Sequence, residues 1–135
     1  MKLGINDLLA EHKIMFDKVI KSTELLYRMA LNNMYPELAA ETDNRQRLIS
    51  IIAHLQNKIE IEVDKLDGES IPLYLIDILN EWKFEFSQKT HQVRQVDRKI
   101  VDLLTRNKYQ ISKEIAHLFK DRELFKGYNL TNVKR

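Results

Sequence analysis

The chain has 135 residues, of which 44% are apolar and 31% are charged, and it contains no cysteine. This length is close to the commonest size of one domain and is enough to bury a sizeable core. The absence of cysteine excludes disulfides, thiol nucleophiles and thiolate metal sites. The 22 basic and 20 acidic residues are interspersed, without a block of five like charges, so the charge pattern gives little support for nucleic-acid binding.

Residues that interrupt helices are scarce, with only three glycines and two prolines. Together with the abundance of Leu, Ile, Glu, Lys and Arg, this predicts an all-α fold. We expect one domain over residues 1–135, an antiparallel bundle of three long helices in which the third either continues into, or breaks before, a C-terminal helix. The predicted helices cover about 5–32, 36–66, 72–105 and 108–126.

No segment approaches the roughly 20 apolar residues that a membrane span requires. The N-terminal sequence MKLGINDLLAEHK has neither a sustained apolar core nor a small-residue cleavage site, so it does not resemble a secretion signal. These features favour a cytoplasmic protein that has no membrane partner.

The first two helices have recognisable starts. Asn6 or Asp7 is a suitable N-cap for the first, because its side-chain oxygen can accept from the free N–H groups of the first turn. Pro36 suits the first turn of the second helix, where its missing N–H has no partner to lose. Within the second helix the stretch TDNRQR, residues 42–47, is wholly polar. Its simplest interpretation is a solvated turn in the middle of the helix.

The third helical pattern is unusually long. Its first apolar stripe runs from Leu75 to Leu103, and a second set in nearly the same phase runs from Leu104 to Phe125, with a polar gap around Asn107. One continuous helix over this pattern would be roughly 80 Å long, against about 45 Å for each of the first two. The surplus apolar face therefore predicts a binding surface.

The sequence gives little indication of a metal site. The histidines at positions 12, 54, 91 and 117 suggest a hemerythrin-like diiron bundle, but a diiron site needs ligands one turn apart. Lys58 stands where His54 would need a carboxylate, and only His117 has acidic neighbours one turn away. We therefore expect solvated or core-edge histidines, no metal and no cofactor.

Acid–base catalysis has no better support, and we expect no enzyme activity. Glu60 and Asp64 share a helix face, but nothing apolar is expected to close over them. Three isolated glycines cannot build a phosphate-binding loop. Of the aromatic group Trp82, Phe84 and Phe86, only the first and third share a helix face, which favours a bundle core over a ligand pocket.

Several segments carry a family likeness: KSTELLYRMALNN, then MYPELAAETDNRQRLISII, then VDRKIVDLLTRNKYQISKEIAHLFKDRELFKGYN. Together they resemble the FliT family of flagellar type III export chaperones over roughly residues 14–129. Tyr35 occupies the place of an aromatic, often Trp, that opens the second helix of that family. The positions that match the family pattern farther along the chain are Glu41, Arg45, Gln46, Leu48, Ile49, Asp97, Ile100, Lys126 and Tyr128.

The resemblance implies a chaperone that binds the C-terminal segment of the filament-cap protein in an apolar groove and keeps it unassembled until export. In that family the last helix can cover the groove in the free protein. The resemblance leaves open whether export-apparatus components or a second copy of the chain are further partners.

We predict the client site on the stripe where the shorter helices run out of length: Val93, Val96, Ile100, Leu103 and Leu104. Arg94, Arg98 and Lys99 would form its polar shoulders, an arrangement that favours a protein helix over nucleic acid. The apolar face beyond the polar gap is the predicted groove cover: Ile111, Ile115, Leu118 and Phe125. Two alternative functions remain, a hemerythrin-like metal or oxygen-binding bundle and a structural coiled-coil adaptor.

Overall fold

The computed structural model describes residues 4–66 and 71–106. It contains three helices, α1 (Ile5–Leu31), α2 (Tyr35–Asp64) and α3 (Leu73–Arg106), with no strand in these two ranges. The predicted all-α bundle of three long helices is confirmed, and the helix ends fall within about two residues of those expected. The predicted helix over 108–126, and the polar gap at Asn107, lie outside the described residues.

The N-terminus of α1 differs from the expectation. Gly4 is the N-cap, without a side-chain hydrogen bond, and its carbonyl accepts from the Leu8 N–H at 3.0 Å. The helix has therefore already begun where Asn6 or Asp7 was expected to cap it. Asp7 lies in the first turn instead, where its carboxylate favours the positive end of the helix dipole.

A tight turn joins α1 to α2. The Met34 N–H donates to the Met29 carbonyl at 2.9 Å and the Asn33 N–H to the Ala30 carbonyl at 3.4 Å, which is the Schellman pattern of helix termination. Asn33 has φ of 56°, a left-handed conformation that asparagine tolerates better than most residues. Its side-chain oxygen also accepts from the Tyr35 hydroxyl at 2.7 Å, so the first residue of α2 holds the turn.

The α1 helix lies between the other two. It packs closely along both α2 and α3, whereas the backbones of α2 and α3 come close at few points if any. The tight turn makes α2 antiparallel to α1, and a hydrogen bond from Ser22 to Glu41 joins the two helices. The helix α3 runs parallel to α1, because the contacts between them advance in the same direction along both, from Trp82–His12 to Lys89–Asp17. The helices α2 and α3 therefore meet through long side chains that extend across the core.

The core consists of two apolar clusters along the bundle. The lower cluster contains the start of α1, the end of α2 and the first half of α3, with Phe16, Ile52, Ile59, Leu79, Trp82 and Phe86 among its members. The upper cluster lies at the end that carries the α1–α2 turn, and its members are Leu26, Ala30, Tyr35, Leu38, Ile100 and Leu104.

A conservative substitution tests the upper cluster. Ile100 is fully buried, so Ile100→Val removes one buried methyl group and should reduce the free energy of unfolding by about 1 kcal/mol. Ile51→Val, on a side chain that is 44% exposed, is the matched control and should change it by less than about 0.5 kcal/mol. Urea unfolding followed by circular dichroism measures both, and equal effects would mean that Ile100 is not packed in this way.

None of the helices in the described ranges combines the length and apolarity needed to cross a membrane.

Candidate functional site

A buried polar layer separates the two apolar clusters. Arg45 of α2 donates from Nη1 to Asp97 Oδ1 at 2.8 Å and from Nη2 to Asp97 Oδ2 at 3.2 Å. The same Nη1 donates to Thr23 Oγ1 of α1 at 2.9 Å, and the Thr23 hydroxyl donates to the Val19 carbonyl. The polar layer (Thr23, Arg45 and Asp97) thus links all three helices, and each member is less than 10% exposed.

This layer corrects the interpretation of TDNRQR as a solvated turn. Thr42 and Arg45 from that stretch are buried, while Asp43, Asn44 and Arg47 are exposed as expected. The reason is that Asp97, 52 residues farther along the chain, gives the guanidinium a bidentate partner in the core. Arg45 and Asp97, two of the residues on which the family resemblance was based, therefore contact each other directly.

The electrostatics of this pair are dominated by burial. Loss of solvent raises the pKa of the Asp97 carboxyl above its ordinary value, and the Arg45 guanidinium only partly lowers it again. Taking both charges out of water has a cost that opposes their attraction. We therefore expect the ion pair to contribute specificity of packing, by requiring three helices to align, more than net stability.

The five predicted client-site residues fall into two groups. Val93, Ile100 and Leu104 are buried, at 3%, 0% and 1% exposure, and pack against α1 and α2 in the core clusters. The expectation that the shorter helices leave them uncovered is therefore wrong, because α1 and α2 extend far enough to pack over all three. Val96 and Leu103 are only half-buried, so they alone of the five present apolar surface at the side of the bundle.

Two ion pairs show which sides of α1 and α3 face each other. Lys13 lies 3.5 Å from Glu85, and Lys89 lies 3.5 Å from Asp17. Residues seven apart occupy the same side of a helix. Ile20 and Tyr27 follow Lys13 by seven and fourteen residues, and they therefore continue the flank of α1 that faces α3.

The matching flank of α3 continues in the same way. Val96 and Leu103 follow Lys89 at seven and fourteen residues, and Leu31 follows Asp17 of α1 at fourteen. The apolar residues on the two flanks form what we call the α1–α3 seam: Ile20, Tyr27, Leu31, Val96 and Leu103. Four of these side chains are half-buried and Leu31 is 50% exposed. Sequence reasoning found the α3 members but missed those of α1, because only the ion pairs show how the two helices are turned.

Charged side chains border the seam. Lys99 is three residues after Val96 and four before Leu103, and it is exposed. Glu24, also exposed, lies seven residues after Asp17 on the α1 side. The exposed Arg94 and Arg98 lie farther around α3, so of the three predicted basic shoulder residues Lys99 is the one beside the seam.

His12 is the one histidine of the described residues that lies in the core. It is 1% exposed, whereas His54 and His91 are exposed as expected. The rings of Trp82 and Phe86 lie edge-on to it, with centroid distances of 5.0 and 4.6 Å. The Trp82 Nε1–H donates to His12 Nδ1 at 3.1 Å, across 70 residues of sequence. The prediction of a core role for Trp82 and Phe86 is confirmed, and Phe84 is 62% exposed.

This hydrogen bond fixes the protonation state of His12. An indole N–H can only donate, so Nδ1 must be unprotonated and the neutral ring carries its hydrogen on Nε2. Protonating the ring would place a second donor opposite the indole. Burial, and then the nearby Lys89 charge, lower the pKa of His12 to about 4, so the ring is neutral near pH 7.

The same tautomer bears on metal binding. An Nε2 that carries a hydrogen offers no lone pair to a metal, and Nδ1 is already occupied by Trp82. Within residues 4–66 and 71–106, no group of three or more His, Asp or Glu side chains is arranged to hold a metal ion. His117, and the predicted groove-cover residues Ile111, Ile115, Leu118 and Phe125, lie outside the described residues.

Comparisons of this chain with models of protein families, with curated proteins and with solved structures find no match.

Proposed function

We propose that the protein is a flagellar export chaperone of the FliT type, which binds a helical segment of the filament-cap protein along the α1–α3 seam. Two arguments support this. The first is the resemblance carried by the helix-opening Tyr35 and by Arg45 and Asp97. The second, and the one that carries the proposal, is that the seam presents five large apolar side chains which α1 and α3 leave partly uncovered.

The seam has the dimensions of a helix-binding surface. From Ile20 to Leu31 is eleven residues, or roughly 16 Å of helix. A client helix lying along it can place apolar side chains at i, i+3 or i+4, and i+7 between the two rows. An exposed large side chain of the client contributes about 1.5–3 kcal/mol when it becomes fully buried, and the half-buried seam side chains contribute part of that, which offsets the entropy lost when the client is ordered.

Leu103→Glu tests the seam. Leu103 is half-buried at its upper end, so a carboxylate there is tolerated by the fold but places an unpaired charge against the client. We expect affinity for the C-terminal segment of a filament-cap protein, measured by calorimetry, to fall by about tenfold or more. The buried Ile100 and Leu104 are unsuitable positions for this test, because a charge there would disrupt the bundle itself.

Ile51→Glu is the matched control. Ile51 is 44% exposed on α2, away from the seam, and the variant carries the same new charge. It should bind the client as the unmodified protein does, with unchanged helicity. Normal binding by a folded Leu103→Glu protein would contradict the seam as the client site, and no binding by the unmodified protein would contradict the chaperone function.

A further inference from the structure

The outer face of α3, opposite the core, carries three of the most exposed apolar side chains among the described residues. Leu73, Tyr74 and Phe84 are 73%, 63% and 62% exposed. Leu73 and Phe84 are eleven residues apart, about three helical turns, and therefore lie on one line along the helix at a separation of roughly 16 Å. Phe84 faces away from its neighbours Trp82 and Phe86, which are both buried.

Carboxylates occupy the space between these side chains. Asp77 lies one turn after Leu73, and Glu81 lies seven residues after Tyr74 and three before Phe84. Both are exposed, and neither forms an ion pair within the described residues. The only basic residue of this stretch is Lys83, which is half-buried and lies off this face. We call Leu73, Tyr74, Asp77, Glu81 and Phe84 the outer face of α3.

We propose that the outer face of α3 is a second docking surface, separate from the seam, and that it binds a basic amphipathic helix of a partner protein. The chemistry of the face identifies this occupant. Large exposed apolar side chains favour the apolar stripe of an incoming helix. The two carboxylates select Lys and Arg beside that stripe, and Tyr74 and Phe84 add ring faces that attract the same cations.

The separation of Leu73 and Phe84 sets the minimum length of the partner helix. A helix that contacts both Leu73 and Phe84 needs at least three turns, with apolar side chains at i, i+4, i+7 and i+11. An acidic helix of the same pattern would meet Asp77 and Glu81 as like charges and be rejected. The seam is bordered by Lys99 on α3 and by Glu24 on α1, so it lacks the purely acidic border that selects a basic helix at the outer face.

A synthetic 18-residue helical peptide tests the proposal, with Leu at those four positions and Lys on the flanking positions. A matched peptide carries Glu in place of Lys. Fluorescence anisotropy with the full-length protein should show at least tenfold tighter binding of the Lys peptide at low salt, and the advantage should shrink as salt rises. Equal binding of the two peptides would overturn the proposal.

Substitutions then locate the binding. Leu73→Ala combined with Phe84→Ala should weaken binding of the Lys peptide by about tenfold or more, and Asp77→Asn combined with Glu81→Gln should remove most of its advantage over the Glu peptide. Ile14→Ala, on a 53% exposed side chain of α1, is the control and should have no effect. All of these sites are exposed, so the fold should survive, as circular dichroism would verify.

Two further results would overturn the proposal. One is peptide binding that the outer-face variants leave unchanged. The other is sedimentation showing a dimer that Leu73→Ala with Phe84→Ala converts to a monomer, since the face would then bind a second copy of the chain. Leu103→Glu should leave Lys-peptide binding intact, so failure of the seam and failure of the outer face give different results.

Discussion

Replacing Asp97 by alanine should reduce the free energy of unfolding by about 3–5 kcal/mol. The substitution leaves the Arg45 guanidinium in the core without its carboxylate, at a position where only 3% of the residue is exposed. A buried charge that loses its partner keeps the cost of desolvation and loses the attraction that offsets it. Chemical unfolding of the purified variant measures this loss.

Replacing both members of the pair should behave differently. Arg45→Met together with Asp97→Leu removes both desolvation costs, and it should be close to neutral or stabilising by about 1–4 kcal/mol. Asp43→Ala, which removes an exposed carboxylate of α2, is the control and should change stability by less than about 0.5 kcal/mol. A double variant as unstable as Asp97→Ala would show that the ion pair itself, and not its desolvation, dominates the energetics of the polar layer.

The stability of the protein should also decrease on acidification, because His12 is buried in its neutral form. In the folded chain the pKa of His12 is lowered to about 4, against 6.5 in the unfolded chain. Between these values the unfolded state binds the extra proton, so stability is fully present above pH 6.5 and is lost as the pH falls toward 4. The shift corresponds to about 3 kcal/mol.

The variant His12→Gln isolates this effect. Its amide oxygen retains an acceptor for the Trp82 N–H but does not titrate, so its stability should change less between pH 7 and pH 4 than that of the unmodified protein. Trp82 is the single tryptophan of the chain and contacts His12, so its fluorescence reports both unfolding and the hydrogen bond.

The pKa of Asp97 is raised by burial, so this group acts in the opposite direction and favours the folded state at low pH. Its contribution is the same in both proteins and cancels in the comparison. Parallel pH profiles for the unmodified protein and His12→Gln would therefore show that His12 is not the buried neutral ring described here.

Local sequence rules determined the helices. Five glycine and proline positions separate three apolar patterns of helical period, and the helix ends follow from them to within about two residues. The period also placed Trp82 and Phe86 on the core face and Phe84 on the opposite one, as observed. Such features depend on residues within a few turns of each other, so one segment contains all the information that they need.

Tertiary structure alone decided which polar residues are buried and which apolar residues remain at the surface. Arg45 is in a polar stretch that looks solvated until Asp97, 52 residues away, is placed opposite it. Helical spacing places His12 on the apolar face of α1, but nothing local shows what its ring would bond there, because its partner Trp82 belongs to another helix. Arg45 and His12 enter the core because groups on other helices satisfy them, and the adjacent sequence carries no record of those groups.

The predicted client stripe is only partly exposed, and this too depends on contacts between helices. Periodicity placed Val96, Ile100 and Leu103 near one another on α3, but it could not show how α3 is turned against its neighbours. The Lys13–Glu85 and Lys89–Asp17 pairs settle that rotation, leaving Ile100 inside the bundle and Val96 and Leu103 at the α1–α3 seam. The sequence of one helix specifies an apolar face, and only packing against the other helices decides which part of that face stays accessible.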